Sequence, residues 1–281
     1  MDVLSTKPFD IASVPLGMSR DSEEFRTSSH RLASFARAVD DTNPRHLAGE
    51  YALPVFAHIP VMQSMVEVLQ KTASGLILHG EHDFVFHRPI VPGQRLFTVS
   101  TLIGARGTSA GTAVVIGSYT RDHAGEPVCT QYSTCLLREA GGRDARGEKA
   151  PERPHVPRGE GVTDTYPLSL DQTRRYADAA RDYSAYTIDP EAAQAAGFPA
   201  PIVHGMCTLA FAARAVVDSH CGGESKRLRR LGCRFVHPLY LLAGQTLRVE
   251  HWAGEGGLAG FEASDAEGNL VIKNGYAQVS R

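Results

Sequence analysis

The stretch "FARAVDD" at 35–41 returns, altered, as "YADAARD" at 176–182. Working outward, "LPVFAHIPV" (53–61) matches "APIVHGMCT" (200–208), and "HRPIVPGQRL" (87–96) matches "HPLYLLAGQTL" (237–247). The order is the same in both series and the spacing nearly so, which marks an internal duplication of about 120–140 residues. A repeat of that size makes the fold a pair of like units.

Each copy has the same grammar. A short strand comes first, then an amphipathic helix. In the first copy Leu32, Phe35, Ala36 and Val39 recur at helical spacing, with Ser28 or Ser29 placed to cap the helix and Asp171 placed to cap its counterpart. An acid-containing loop follows, then a longer apolar helix, roughly 56–71 in one copy and 204–219 in the other. β-like runs complete each unit: "EHDFVFHRPI", "RLFTVSTLIGA", "TAVVIGSYTRD" and "PVCTQYSTCLL" in the first, "LRRLGCRFVHPL", "TLRVEHWAGE", "GLAGFEASD" and "LVIKNGYAQVS" in the second. Turns at "DHAGEP" and "DAEGN" suit antiparallel meanders. One mostly buried helix with an antiparallel sheet wrapped round it is an α+β layer solution. Between the copies, 138–162 is rich in Gly, Pro and charge without apolar periodicity, the composition of a linker. The expected organisation is therefore 1–137, a linker at 138–162, and 163–281.

The chain has 281 residues, 42% hydrophobic and 21% charged, enough apolar material for one large or two modest cores. A formal charge of −2 gives no bulk field for nucleic acid or an anionic membrane. Apolar runs are far shorter than a membrane span. The start, "MDVLSTKPFDIASVPLG", has an early acid and no continuous apolar run, unlike a signal peptide. Five cysteines with no CxxC pair point to reduced thiols and a cytoplasmic protein.

The chemistry concentrates in "DDTNPRH" (40–46), where Asp41, Asn43 and His46 crowd into one loop. An acid and an imidazole that touch one water can move its protons near neutral pH. Pro44 stiffens the loop and stops the preceding helix. The bland alternative is an Asx-type turn carrying a solvent-exposed histidine. His79, His82 and His87 invite a metal reading, but strand alternation turns His82 away from His87 and no Cys or carboxylate cluster completes a ligand set, so no metal is expected. "GARGTSAG" lacks the context of a phosphate loop and fits a hairpin turn. "RLRR" (227–230) is either a basic rim for phosphates or a solvated edge.

This grammar and these loops resemble the hotdog fold and, within it, the MaoC-like or type 2 enoyl-CoA hydratase family, as two tandem hotdog units covering almost the whole chain. The family signature runs Gly-Asp-x-Asn-Pro-Leu-His-x-Asp, followed by Pro-Ile-x-His-Gly at the start of the central helix. In the first copy its Asp, Asn, Pro and His fall on Asp41, Asn43, Pro44 and His46, while Asp40 stands for the first Gly and the His-Gly pair falls on Ala57 and His58. In the second copy the Asp is Asp182, but Ser184, Ala185 and Thr187 replace Asn, Pro and His; Asp189 is kept and "PIVHG" is intact with His204 and Gly205. Two-hotdog members usually keep the catalytic pair in the C-terminal half. Here the residues place it in the N-terminal half.

The resemblance implies reversible hydration of trans-2-enoyl thioesters to (R)-3-hydroxyacyl thioesters. Asp41 and His46 are the expected acid–base pair, with Asn43, His58, Asp182 and Gly205 supporting it or binding substrate. The Gly205 amide would serve a developing enolate, a duty that His58 would have to meet in the first copy. His204 is expected to bond locally and shape its turn. Coenzyme A or acyl carrier protein carries the acyl group, and no metal or redox cofactor is needed. A further homodimer of fused chains is open. Two rivals stand: an acyl-CoA thioesterase on the same fold, and a non-catalytic acyl-thioester-binding subunit.

Overall fold

A computed structural model describes residues 11–72, 76–109, 111–137 and 144–280. Most of the N-terminal stretch read for a signal peptide, and the first residues of the expected linker (138–143), lie outside the described residues.

The first half opens with β1 (Ser19–Asp21) and β2 (Phe25–Arg26), then α1 (Ser29–Ala38) and the short α2 (Pro44–Ala48). A 3-10 stretch, Pro54–Val61, leads into α3 (Met62–Thr72), followed by β3 (Ile77–Phe86), β4 (Arg95–Thr108), β5 (Gly111–Asp122) and β6 (Pro127–Leu137). The second half follows β7 (Ala145–Gly147). It runs β8 (Gly161–Pro167), α4 (Gln172–Ala180), α5 (Ala185–Ile188), α6 (Pro190–Ala195), α7 (Gly205–His220), β9 (Leu228–Phe235), β10 (Thr246–Ala253), β11 (Leu258–Ser264) and β12 (Leu270–Val279). The eight expected β-runs are all strands, and the turns at Gly125 and Gly268 have positive φ, which glycine adopts without strain.

These strands form one sheet in the order β1-β4-β5-β6-β3-β9-β12-β11-β10-β8, with β2 and β7 also pairing to β4. Each half contributes five strands to that path. They meet where β3 pairs antiparallel with β9, from Glu81–Arg234 to Val85–Arg230. The sheet curls round the central helices, giving the double hotdog. In α7 every residue from Met206 to Val217 is buried, so the helix is enclosed on all its faces, with Arg214 the one charge among them. One core cluster joins Phe35 and Phe56 of the first half to Phe211 and Val216 of the second.

Three expectations need correcting in detail. The first central helix does not begin as an α-helix at 56. Pro60 has no N–H to give and clashes with the preceding turn, so Pro54–Val61 winds as 3-10 and regular helix starts at Met62. Ser28 caps α1 by accepting from Arg31 N, but Asp171 makes no side-chain cap and bonds Ser169 and Arg175 instead. The expected linker also carries structure. β7 lies on β4 as an edge strand, Arg153 reaches Glu81, Val156 packs on Trp252, and β8 has begun by Gly161.

Candidate active site

The two copies of the acid loop keep one backbone. α1 ends with Asp40 in the left-handed region (φ 50°), α4 with Arg181 at φ 57°, and each is followed by its aspartate. Asp41 Oδ1 accepts from Asn43 N at 3.0 Å, and Asp182 Oδ1 accepts from Ser184 N at 3.2 Å. Each loop then enters a short helix, α2 or α5. The side chains have diverged on that shared frame.

In the first copy the sequence-expected pair is brought together. Asp41 Oδ2 accepts from His46 Nδ1 at 2.6 Å, and Asn43 caps α2 by accepting from Arg45 N. The pair is sealed: both side chains are 1% exposed, so His46 is not the exposed histidine of a plain turn. Its Nε2 meets Ser225 Oγ at 3.0 Å, Arg214 Nε stands 3.8 Å from Asp41 Oδ1, and Asn43 Nδ2 donates to Gly223 O. All three partners belong to the second half. So do the groups that satisfy the last carbonyls of α1: Arg175 on Arg37, Gln172 on Ala38 and Arg214 on Val39. The motif of the first half is thus docked into the second by charged and polar bonds. A crevice lined by Ala57 and by Ser225, the partner of His46, holds about 30 Å³, roughly the room of one water.

The second copy opens on a cavity of about 430 Å³ between the halves. From its own half the walls include Asp182, Thr187, His204, Gly205, Met206 and Phe235; from the other half they include His58, Met65, Leu69 and His79. Thr187, at the place of the motif histidine, gives its hydroxyl to Ser184 O at 2.6 Å and meets His204 Nε2 at 2.9 Å. His204 also reaches Asp182 O through that nitrogen, at 3.1 Å, and so shapes the turn as expected. Gly205 begins α7, so its N–H has no acceptor inside the helix. A Cβ there would stand 3.4 Å from the Phe235 ring, at the cavity wall. Asp182 Oδ1 is held by Ser184 Oγ at 2.7 Å, while Oδ2 has no hydrogen-bond partner among the described residues.

Three imidazoles from the first half crowd together here, His58 and His79 in the cavity wall and His82 behind them. His79 Nε2 and His82 Nδ1 are 3.0 Å apart, and His58 stacks edge-on to His82 at 5.1 Å between centroids. Strict alternation would put His79 and His82 on opposite faces of β3; a register shift between His79 and Glu81 brings them together. Burial pushes His58 down to about 4 and His79 to about 3, and it also lowers His82 and His204, so all four rings are neutral near pH 7. His87 lies apart, on Thr130. Among the described residues no group of three or more His, Cys, Asp or Glu is arranged to hold a metal. "RLRR" is largely committed internally, with Arg227 on Cys221 O and Ser280 O and Arg230 on Asp83.

Sequence reading missed Gln131, Ser225 and Arg214. Gln131 had a signal: on β6 it shares the inward face with Cys129, Ser133 and Cys135, where an amide needs a specific partner. It donates to Ala57 O at 2.8 Å and meets His58 Nδ1 at 3.3 Å.

Residues 155–274 match the MaoC like domain, and residues 16–131 match the FAS1-like dehydratase domain region. The 3-hydroxyacyl-thioester dehydratase Y of Mycobacterium tuberculosis is 31% identical over 250 residues, 84% of each chain. The chain belongs to the MaoC-like dehydratase family. Its MaoC-like relatives also include the peroxisomal enoyl-CoA hydratase 2 of Arabidopsis thaliana, 29% identical over 81% of this chain and 77% of that one. The crystal structure of a MaoC-like dehydratase from Phytophthora capsici superposes with a TM-score of 0.85 at 23% identity, covering 97% and 98% of the two chains, a likeness of fold. This is a family of hydro-lyases, and the tandem hotdog architecture that the resemblance implied is the observed one.

Proposed function

We propose that this chain adds water reversibly to trans-2-enoyl thioesters, giving (R)-3-hydroxyacyl thioesters carried on coenzyme A or acyl carrier protein, and does so in the cavity of the second half. The observation that carries this reading is the intact helix start at Gly205, with its unpaired N–H, on a cavity that also holds the half-committed carboxylate of Asp182. An enoyl thioester laid against Gly205 meets a preorganised donor where its carbonyl gains charge as water adds at Cβ. Oδ2 of Asp182 accepts a hydrogen from that water and aims it. The apolar walls, Met65 and Leu69 among them, take the acyl chain. The relatives named for enoyl-CoA and 3-hydroxyacyl thioesters support the substrate class.

A second reading keeps Asp41 and His46 as the acid–base pair. The observation in its favour is that they form the complete carboxylate–imidazole pair of the motif, 2.6 Å apart. Against it stand the sealing of both side chains and the commitment of both ring nitrogens to protein. Among the described residues no helix is long and apolar enough to cross a membrane. The five cysteines are all free and buried, which suits the reducing cytoplasm we assign.

The test is loss of enoyl absorbance with crotonyl-CoA and longer trans-2-enoyl-CoAs, for wild type, Asp182→Asn, Asp41→Asn and His46→Ala. Loss confined to Asp182→Asn supports the cavity. Loss in the other two with unchanged folding favours the second reading. Release of free thiol instead of hydration would turn the assignment to a thioesterase, and binding without any turnover to an acyl-thioester-binding subunit.

A further inference from the structure

The second copy of the motif has an aspartate, a helix start and a cavity, but Thr187 stands where the imidazole belongs. Three histidines line that cavity: His58, His79 and His204. His204 has Nε2 tied to Thr187 and to the Asp182 carbonyl, and its Nδ1 is closed off from the cavity without a partner. His79 has Nε2 against His82. His58 differs from both. Gln131 donates its amide nitrogen to Ala57 O, which leaves its oxygen to accept from His58 Nδ1. That bond fixes the proton on Nδ1, and the Nε2 lone pair of His58 has no partner among the described residues.

The placement of His58 is as telling as its bonding. Ala57 and His58 occupy the His-Gly position of the first half, yet they serve different spaces. Ala57 lines the 30 Å³ crevice that Ser225 also borders, and His58 lines the 430 Å³ cavity between the halves, where Asp182 and Gly205 stand. Asp182 acts on the His58 ring across that cavity and favours its protonated form.

We infer that His58, reaching over from the first half, is the proton-transferring imidazole of the second-half cavity and replaces the histidine lost at Thr187. The inference rests on the hydratase reading above. As water attacks Cβ, the C–O bond forms and the alkene π pair moves through Cα onto the thioester oxygen as an enolate held by Gly205 N–H. The water proton passes to His58 Nε2. The enolate then collapses, Cα takes a proton from the His58 imidazolium, and the ring returns to its neutral form. Dehydration runs the same steps backwards. Burial among His79 and His82 keeps the ring unprotonated and ready to accept, and the Asp182 carboxylate steadies it once charged.

The experiment compares wild type, His58→Gln and Asp182→Asn in hydration of trans-2-enoyl-CoAs, with kcat and KM separated and folding followed by thermal melting. The expected result is a kcat lower by about a hundredfold or more in His58→Gln with KM nearly unchanged. A His58→Gln protein that keeps wild-type kcat while Asp182→Asn is inactive overturns the role of His58 and leaves the hydratase reading standing. Wild type inert toward every enoyl-CoA overturns that reading and this inference with it. Should His58→Gln fail to fold, imidazole nitrogen resonances of the wild type decide. Movement of His58 Nε2 on saturation with an unreactive thioether analogue of crotonyl-CoA supports the role, and an unmoved resonance overturns it.

Discussion

Gln131 holds His58 in a single tautomer: its amide nitrogen donates to Ala57 O at 2.8 Å, and that orientation sets its oxygen, an acceptor, against the ring nitrogen Nδ1 at 3.3 Å. One inward-facing amide on β6 thereby decides which nitrogen of a cavity-lining histidine carries the proton. Replacing it with an acid, Gln131→Glu, puts a negative charge beside Nδ1. An opposite charge favours the imidazolium, so the His58 pKa should rise from about 4 toward the ordinary histidine value. A pH titration of the imidazole resonances by NMR reads that shift; an unmoved titration would separate His58 from Gln131.

The Asp41–His46 pair should act chiefly on stability. Removing one partner strands the other in a dry interface, which costs about 3–5 kcal/mol for a buried pair. Urea unfolding of Asp41→Asn and His46→Ala is expected to show that loss. Activity per folded molecule, measured beside it, should fall far less; the second reading demands the reverse.

Gly205→Ala tests the helix start. Alanine gains helix propensity over glycine, and its Cβ would sit in van der Waals range of Phe235, so folding should be kept. The methyl group nonetheless enters the space beside the amide. We expect kcat/KM toward enoyl-CoAs to drop by about tenfold or more with an unchanged or higher Tm.

Acid should weaken the fold. His58, His79, His82 and His204 are neutral when folded, yet each takes a proton at its ordinary value of 6.5 when unfolded. The unfolded chain therefore binds more protons below that pH. Stability is full above about 6.5 and falls as pH drops toward 4, by up to about 1.4 kcal/mol per ring for each pH unit. Urea midpoints at pH 7.5, 6 and 5 check the trend, and His79→Gln should flatten it.

Thr187→His restores the motif of the second copy. Introduced into His58→Gln, it is expected to recover about tenfold or more of the lost turnover, measured as kcat on crotonyl-CoA. No recovery would mean that an imidazole at 187 cannot reach the water.

The repeats made most of the fold legible, because strand alternation, helical spacing and turn glycines are local signals that survive duplication. The aspartates, Gly205 and the central helix α7 could all be placed this way. What stayed hidden was which copy opens and which closes. That depends on Ser225, Arg214 and Gly223 arriving from the far half to seal Asp41 and His46, and no spacing near residue 41 announces them. The bulge at Gly80 hid the His79–His82 contact in the same way, since one extra residue inverts the face that alternation assigns.

The joining of β3 to β9 has a consequence for how such proteins change over time. A dimer of identical subunits must repeat every substitution on both sides of its axis. A chain that carries both subunits covalently is released from that rule. One acid loop can harden into a fastener while the other widens, and a ring at position 58 can serve its neighbour without a twin that blocks the first crevice.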